Sequence, residues 1–254
     1  MKLAGTTFIR NGITYDYCYR ETIECLLEFC DHVFVVDAGS DDGTCEDIET
    51  IVSPRLTLIK RPVQEWIAQE GKGKSKLCYF TDLAIKEAQG NGYDYNFYLQ
   101  CDEILHERSY QHIRRAIESG DAGYMCERIN LWDSPYTKLN VEQNRMPCST
   151  QVVRLTKSEY RSYGDAESLA VPFLNLNWVD RITIYHMGFV RKREVMKDKV
   201  INMQRNVFEL GHHDPKLDLS ETFNPKFWFS EDELELIEGP LPRIIQKWAE
   251  KRVY

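Results

Sequence analysis

Residues 32–44, HVFVVDAGSDDGT, hold the clearest structural signal in the chain. The run from His32 to Asp37 is continuous and rich in β-branched residues, which is typical of a strand buried on both faces of a sheet. It stops at a polar segment with two glycines, which predicts a loop, and a helix is expected from about Thr44 to Ile51. A strand of this kind indicates an α/β fold, because helices must cover both faces of its sheet.

The segments on either side repeat this alternation of strand and helix. Further strands are predicted over residues 3–9, 56–60 and 94–100. A helix with Asp16 as its N-cap is expected before His32, and another should end at Gly90. Four strands alternating with three helices favour right-handed crossovers and a mostly parallel sheet. Ligands of such sheets bind beyond the carboxyl ends of the strands, so we expect the functional residues at that edge.

The pattern changes after Ser109. The expected elements are a helix over residues 110–118, a strand over 123–129, a long polar and aromatic loop over 132–147, strands over 151–155 and 182–185, a basic helix over 192–210 and a short helix over 244–251. No segment is rich enough in Gly, Ser or Pro to act as a linker. We therefore expect one α/β domain over residues 1–210 and a helical C-terminal extension over residues 211–254 that packs on it.

Composition excludes several classes of protein. The 254 residues are 43% hydrophobic and 12% aromatic, which is enough apolar surface to offset the ordering entropy that keeps a disordered chain unfolded. No recurring period is present, so repeat and coiled-coil architectures are excluded as well. The formal net charge of −8 argues against nucleic acid as a partner, because the chain would repel its phosphates.

The sequence also bears on the compartment. No window approaches the roughly 18 consecutive apolar residues of a membrane span, and the first residues lack an apolar signal core. The eight cysteines have irregular spacings, which favour neither a disulfide framework nor a zinc site. A cytoplasmic protein without an integral membrane segment is therefore expected.

Carboxylates follow two of the predicted strands. Asp37 ends the second strand, Asp41 and Asp42 lie in the loop after it, and Asp102 and Glu103 follow the fourth. Carboxylates gathered at one sheet edge repel each other, and a divalent cation is the usual way to hold them together. The alternative is that each acts as a helix cap or turn former.

These segments resemble a known family. FIRN at residues 8–11, VVDAGSDDGT at 35–44, the basic GKGKSKL at 71–77 and YLQCDEILHE at 98–107 are similar, in that order, to family 2 nucleotide-sugar glycosyltransferases with the GT-A fold. That family carries D-x-x-S-x-D-G-T after its second strand, and Asp37, Ser40 and Asp42 fill the polar positions. The resemblance covers about residues 1–130, and it implies a GT-A-type (Rossmann-like) domain.

The resemblance implies roles for individual residues. Asp37 would bind the nucleotide base, with Arg10 nearby. Asp102 would be the last carboxylate of the family's D-x-D motif and would ligate Mn²⁺ or Mg²⁺ at the diphosphate of the donor. Gln100 stands at the first position of that motif, where it removes one charge from the metal site but can still contact the ribose. Glu103 follows directly and is included among the donor-binding candidates.

Four further candidate residues lie outside the acidic motifs. His186, predicted to lie in a turn, resembles the C-terminal histidine that completes the metal site in many GT-A enzymes, although a structural histidine is the alternative. Arg191 follows it and could meet the phosphates. Lys74 and Lys76, in the Gly-Lys-rich segment, could also contact the donor, although the segment could equally be a surface loop. It is not a Walker A sequence, which disfavours a P-loop ATPase.

An inverting transfer needs a base that deprotonates the acceptor hydroxyl. Asp165 and Glu167, in SYGDAESLAVP, are the candidates for that role.

The expected activity is that of a hexosyltransferase, inverting and metal-assisted. It would use a nucleotide-diphosphate sugar, with a UDP-sugar favoured, and a glycan or other hydroxyl acceptor. Two alternatives stay open: a non-catalytic nucleotide- or glycan-binding protein with a degenerate site, and a sugar-nucleotide pyrophosphorylase. The second is disfavoured because Arg10-Asn11-Gly12 does not supply that family's glycine-rich phosphate loop.

Overall fold

The structure of the chain, a computed structural model, describes residues 1–73, 75–140, 149–203 and 233–252. Its strands are β1 (Leu3–Ile9), β2 (His32–Asp37), β3 (Leu56–Lys60), β4 (Tyr95–Tyr98), β5 (Glu103–Leu105), β6 (Gly123–Trp132), β7 (Ser134–Leu139), β8 (Gln151–Lys157), β9 (Ser162–Tyr163), β10 (Ser168–Leu169), β11 (Leu176–Phe189) and β12 (Leu234–Leu236). Its α-helices are α1 (Tyr19–Phe29), α2 (Thr44–Glu49), α3 (Val63–Ile67), α4 (Ser75–Gly90), α5 (Tyr110–Ser119), α6 (Arg193–Asn202) and α7 (Arg243–Glu250). None of these helices is long and apolar enough to cross a bilayer.

The first half of the chain forms a parallel sheet in the order β3-β2-β1-β4. Ile9 lies opposite Asp37 in the register, so the loops after β1 and β2 leave the sheet side by side. β4 ends at Tyr98, opposite Thr6 of β1. The predicted α/β class with a parallel sheet is confirmed, and the functional edge is the one where β1, β2 and β4 end.

The second half extends this sheet with β8, β6, β7 and β12, each antiparallel to its neighbour. β11 runs parallel to β6 and also pairs with the short β5 in the antiparallel direction. Through this double pairing His186 lies opposite Glu103 on one side and Asn130 on the other. The sheet thus brings residue 186 beside the segment that follows β4.

Several predicted boundaries are wrong. The expected loop over residues 132–147 contains β7, whose pairing partners β6 and β12 are fixed by the tertiary structure. Residues 141–147 lie outside the described residues. β11 is much longer than predicted and includes His186, which we expected in a turn. A register shift between Trp178 and Thr183 interrupts the alternation of polar and apolar residues in β11, so the pattern conceals the strand.

Helices cover both faces of the sheet. Residues of α1, α5 and α7 join the largest apolar cluster on one face, including Ile23, Ile113 and Ile245. On the other face, Phe80 and Ala84 of α4 pack with Val36 of β2. This arrangement explains the continuous apolar character of β2, which is buried on both faces.

The tail residues 233–252 pack on the rest of the chain. β12 pairs with β7, and Trp248 of α7 is buried in the main apolar cluster. The helix predicted over residues 244–251 is confirmed. Residues 204–232 lie outside the described residues, so the boundary at residue 210 stays a prediction.

A buried ion pair lies beneath the functional edge. Arg154 Nη2 donates to Glu103 Oε1 at 2.6 Å, and both side chains are fully buried. Arg128 Nη1 lies 3.5 Å from the same carboxylate oxygen. Glu103 Oε2 accepts from the backbone N–H of Gln100 at 2.9 Å, so this network also holds the turn after β4.

Removal of one partner should be costly, because it leaves a buried charge without full compensation. We predict that Arg154→Met lowers the free energy of unfolding by about 3–5 kcal/mol in urea denaturation. Lys60→Met is the matched control. It breaks an ion pair with Glu49 in which the side chains are 55% and 50% exposed, and it should cost much less, because solvent screens such a pair. Equal losses in the two variants would contradict this prediction.

Candidate functional site

The loops after β1 and β2 are joined at the functional edge. Arg10 Nη1 donates to the carbonyl oxygen of Ala38 at 3.0 Å and also to that of Gly39. The backbone N–H of Asn11 donates to Ser40 Oγ at 2.9 Å. These bonds place Arg10 and Ser40 at one corner of the sheet, as the sequence predicts.

Asp37 lies in this corner and is almost fully buried. Both of its carboxylate oxygens accept from the backbone N–H of Ser40, at 2.9 and 3.1 Å. Burial raises the pKa of Asp37, although Ser40 and Arg10 act in the opposite direction. Gly39 has a φ of 79°, and a Cβ there would lie 2.6 Å from the backbone of Val63, so only glycine fits.

Asp42 connects the same corner to residues 11–17. Its carboxylate accepts from the backbone N–H groups of Thr14 at 2.7 Å and Thr44 at 3.0 Å, and from Thr44 Oγ1. Burial alone would raise the pKa of Asp42, but the hydrogen bonds from Thr44 and Thr14 lower it. In the described structure Asp42 therefore acts as the loop anchor that the alternative interpretation expects.

The ring of Trp66 in α3 makes cation–π contacts with two side chains beside this corner. The guanidinium carbon of Arg10 lies 5.1 Å from the ring centroid, and Lys76 Nζ lies 4.8 Å from it. Lys76 is fully buried. Lys74 lies outside the described residues, so its predicted role is untested.

The second part of the site centres on Asp102 and His186. His186 Nε2 lies 3.8 Å from Asp102 Oδ1. On the other side of the ring, Nδ1 lies 3.0 Å from Asn130 Oδ1. Asn130 Nδ2 points to the carbonyl oxygen of Ser149, which orients its oxygen toward His186. This arrangement fits a proton on Nδ1, which leaves the lone pair of Nε2 directed toward Asp102.

Two cations share the other oxygen of Asp102. Arg191 Nη2 lies 3.4 Å and Lys199 Nζ 3.5 Å from Asp102 Oδ2. Both side chains also lie over the ring of Tyr17, at 4.6 and 5.3 Å from its centroid. Lys199 Nζ donates to the carbonyl oxygen of Gly188 at 2.6 Å.

Among the described residues, the charges of this cluster do not balance. Asp102, Arg191 and Lys199 are 6%, 4% and 9% exposed, so one carboxylate faces two buried cations. Burial alone would raise the pKa of Asp102, but Lys199, His186 and Arg191 lower it to about 2. Burial and Arg191 lower the pKa of Lys199 to about 8. Among the described residues, Arg191 Nε is buried without a hydrogen-bond partner. The cluster therefore favours an anion as its ligand.

Asp102 Oδ1 and His186 Nε2 fit a divalent cation. Both are acceptors, and they face each other across 3.8 Å. A Cβ on residue 188 would lie 2.4 Å from His186 Nε2, so Gly188 keeps the space beside that nitrogen open. An oxygen and an imidazole nitrogen suit Mn²⁺. The described residues contain no group of three or more metal-binding side chains.

The two parts of the site meet through residues 11–17. Thr14 bonds to Asp42 in the first part, and the carbonyl oxygen of Tyr15 accepts from Arg191 Nη1 at 2.6 Å in the second. No described contact joins Asp37 to Asp102 directly. The sheet edge thus places the predicted residues in two neighbouring clusters that one loop connects.

Glu103 and Glu167 face away from this cluster toward other partners. Glu103 is in the core network with Arg154. Glu167 is paired with Arg128 and accepts from Ser149 Oγ at 3.0 Å. Burial alone would raise the pKa of Glu167, but Arg128 and Ser149 lower it. Asp165 lies in the same turn at intermediate exposure.

Lys199, Asn130 and Gly188 are not among the site residues predicted from the sequence. Lys199 falls in the basic run that was predicted as a helix, where a lysine is usually solvated. Its spacing from Met196 places it on the apolar face of α6, a signal that could have identified it. Asn130 and Gly188 carry no such signal, because their role depends on the pairing of β11 with β6.

No protein-family model matches the chain, and no curated protein sequence is similar to it. Solved structures that are similar in their arrangement of elements include three with the following identity, coverage and TM-score. Residues 1–349 of S. aureus TarS are 15% identical, with 91% of this chain and 73% of that chain covered and a TM-score of 0.47. A second structure of S. aureus TarS is 14% identical, with 81% of this chain and 40% of that chain covered and a TM-score of 0.44. The mannosyltransferase Ktr4p of S. cerevisiae is 13% identical, with 53% of this chain and 41% of that chain covered and a TM-score of 0.35. At these values the similarity carries no inference about activity, so function is argued from the site.

The histidine should make stability depend on pH. Burial lowers the pKa of His186 to about 3 from its ordinary 6.5. Between these values the unfolded chain binds a proton that the folded chain does not, so the free energy of unfolding falls as the pH falls. We predict that metal-free wild type loses more stability than His186→Gln between about pH 7 and about pH 5, by up to about 1.4 kcal/mol per pH unit. Urea denaturation with a chelator checks this, and equal losses in both proteins would contradict it.

Proposed function

We propose that the chain is a glycosyltransferase that moves a sugar from a nucleotide-diphosphate donor to a hydroxyl acceptor. One observation carries the proposal: among the described residues, Arg191 and Lys199 share one carboxylate, that of Asp102, in a buried cluster at the functional edge. A buried excess of positive charge favours an anionic ligand, and a diphosphate is such an anion. The segments that resemble the family 2 motifs would supply the remainder of the donor site.

The donor would lie across both clusters. Arg191 and Lys199 would hold the diphosphate, and Asp37 would face the base, as the family resemblance implies. Arg10, Ser40 and Asp42 form the loops around Asp37. The remaining proposed donor-binding residues are Lys74, Lys76, Gln100 and Asp102, whereas Glu103 is fully buried in the ion-pair network beneath the site. We favour a UDP-sugar as the donor and a glycan or other hydroxyl compound as the acceptor.

Asp102 Oδ1 and His186 Nε2 would hold Mn²⁺ or Mg²⁺. When bound, the cation would neutralise charge that develops on the departing nucleoside diphosphate. Asn130 would keep the proton on His186 Nδ1 and so leave Nε2 as the ligand. Lys199 and Arg191, which lie near Asp102 Oδ2, would also neutralise the negative charge of the diphosphate.

We propose an inverting transfer in which Asp165 or Glu167 accepts the proton of the acceptor hydroxyl. Glu167 lies nearer the buried network, because Arg128 contacts both Glu167 and Glu103. The same contact lowers the pKa of Glu167 and weakens it as a base.

A second candidate function is a non-catalytic protein that binds a nucleotide sugar. Gln100 favours it, because an amide replaces the first carboxylate of the D-x-D motif. The two functions share the donor site and differ in turnover. Release of nucleotide from UDP-, GDP- and dTDP-sugars, with and without Mn²⁺, distinguishes them, since a binding protein releases none.

Nucleoside diphosphate binding tests the metal site. We predict that Mn²⁺ raises the affinity of the wild type for UDP and that Asp102→Asn loses this increase, because one charged ligand is gone. Isothermal titration calorimetry with and without Mn²⁺ provides the measurement. The metal assignment is refuted if wild type and Asp102→Asn bind UDP equally in Mn²⁺.

Two amide variants test the base. We predict that either Asp165→Asn or Glu167→Gln lowers transfer by about 10²- to 10⁴-fold, the usual contribution of a general base, while UDP affinity is retained. Turnover and calorimetry on the same preparations separate the two effects. Full turnover in both variants would mean that the base is another residue.

A further inference from the structure

The C-terminal helix reaches the loop that supports Arg191. Arg252, just after α7, donates from Nη1 to Asp16 Oδ2 and from Nη2 to Asp16 Oδ1, each at 2.6 Å. Its guanidinium carbon lies 4.1 Å from the ring centroid of Trp248, which is buried in the core. We call Asp16, Trp248 and Arg252 the C-terminal clasp. A paired guanidinium that also stacks on a core ring is a rigid contact.

The backbone at Asp16 needs such a contact. Asp16 has a φ of 50°, a conformation that costs a non-glycine residue roughly 1–2 kcal/mol. Its carboxylate was expected to cap α1, but no side chain caps that helix at Cys18. The carboxylate instead binds Arg252, and Oδ2 also lies 3.4 Å from the backbone N–H of Lys192. The loop is thus fixed by its tertiary partners.

Both neighbours of Asp16 contact Arg191. The carbonyl oxygen of Tyr15 accepts from Arg191 Nη1 at 2.6 Å, and the guanidinium carbon of Arg191 lies 4.6 Å from the centroid of the Tyr17 ring. Arg191 Nη2 then reaches Asp102 at 3.4 Å. Arg191 is therefore contacted by Tyr15 and Tyr17, the residues on either side of Asp16. Asp16 in turn is paired with Arg252.

We infer that Arg252 is a positioning residue for the anion site: through Asp16 it fixes residues 15–17, and these hold Arg191 in place for a diphosphate. The inference rests on the proposed function of Arg191. A chain without the clasp would keep Arg191 but would have to order it at the moment of binding, which costs affinity. The C-terminal helix is then part of the donor site.

A second ion pair of the same helix offers a matched control. Arg243, at the start of α7, donates from Nη2 to both carboxylate oxygens of Glu28 at 2.9 Å. That pair ties α7 to α1 without contacting residues 15–17 or Arg191. Arg252→Gln and Arg243→Gln each remove one guanidinium-carboxylate pair from α7, but only the first acts on the loop beside Arg191.

The test is calorimetric binding of UDP and of inorganic pyrophosphate to the full chain, with thermal unfolding of each variant. We expect Arg252→Gln to raise the Kd of both ligands about tenfold, within the usual range of coupling between sites. Arg243→Gln should leave both Kd values within about twofold of wild type. Arg252→Lys, which keeps the charge but loses the paired geometry, should lie between these. An unchanged Kd in Arg252→Gln, or equal effects of the Arg252 and Arg243 variants, overturns the inference.

Amide hydrogen exchange adds a measurement without ligand. Arg252→Gln should speed exchange at residues 15–17 and 189–192, whereas Arg243→Gln should not. If Arg252→Gln does not fold, Asp16→Asn replaces it, because asparagine tolerates the same backbone conformation and loses the charge. Wild type that binds neither UDP nor pyrophosphate refutes the proposed function, whereas wild-type binding that survives loss of the clasp refutes only the positioning role.

Discussion

The buried carboxylate of Asp102 holds together parts of the chain that are far apart in sequence. It follows β4, yet its two oxygens face His186 of β11, Arg191 after β11 and Lys199 of α6. The second half of the sheet is positioned against the first through these contacts and through the pairing of β5 with β11. An ion cluster of this burial is costly to assemble, because each charge must leave water before it gains its partner.

The adjacent residue, Glu103, lies in a cluster whose charges balance. Glu103 and Glu167 face Arg154 and Arg128, so two carboxylates meet two guanidinium groups and the charges balance. Among the described residues, the Asp102 cluster has one carboxylate for two cations. Two consecutive residues after β4 thus enter opposite environments: Glu103 a neutral network in the core, and Asp102 a site with an excess of positive charge. This difference supports assigning ligand binding to the second.

Residues 11–17 connect the two clusters of the site. They bond to Ser40 and Asp42 at one end and to Arg191 at the other. The loop is short and polar, and its conformation depends on partners from both halves of the chain and from the tail. A site built in this way transmits a change at the C-terminal helix to the anion-binding cluster without a change in the sheet itself.

The sequence alone determined the parallel α/β core, because continuous apolar strands alternate with helical spacing over the first 100 or so residues. It also placed Arg10, Asp37 and Asp102 at the carboxyl edge, since parallel strands all end there. It failed for β7, β11 and β12, whose pairing joins distant segments and whose polar pattern is interrupted. Only the tertiary structure decided that Glu103 turns into the core, that Lys199 is buried beside Asp102 and that Arg252 reaches Asp16. Those outcomes depend on burial and on charge partners from distant segments, which local periodicity does not encode.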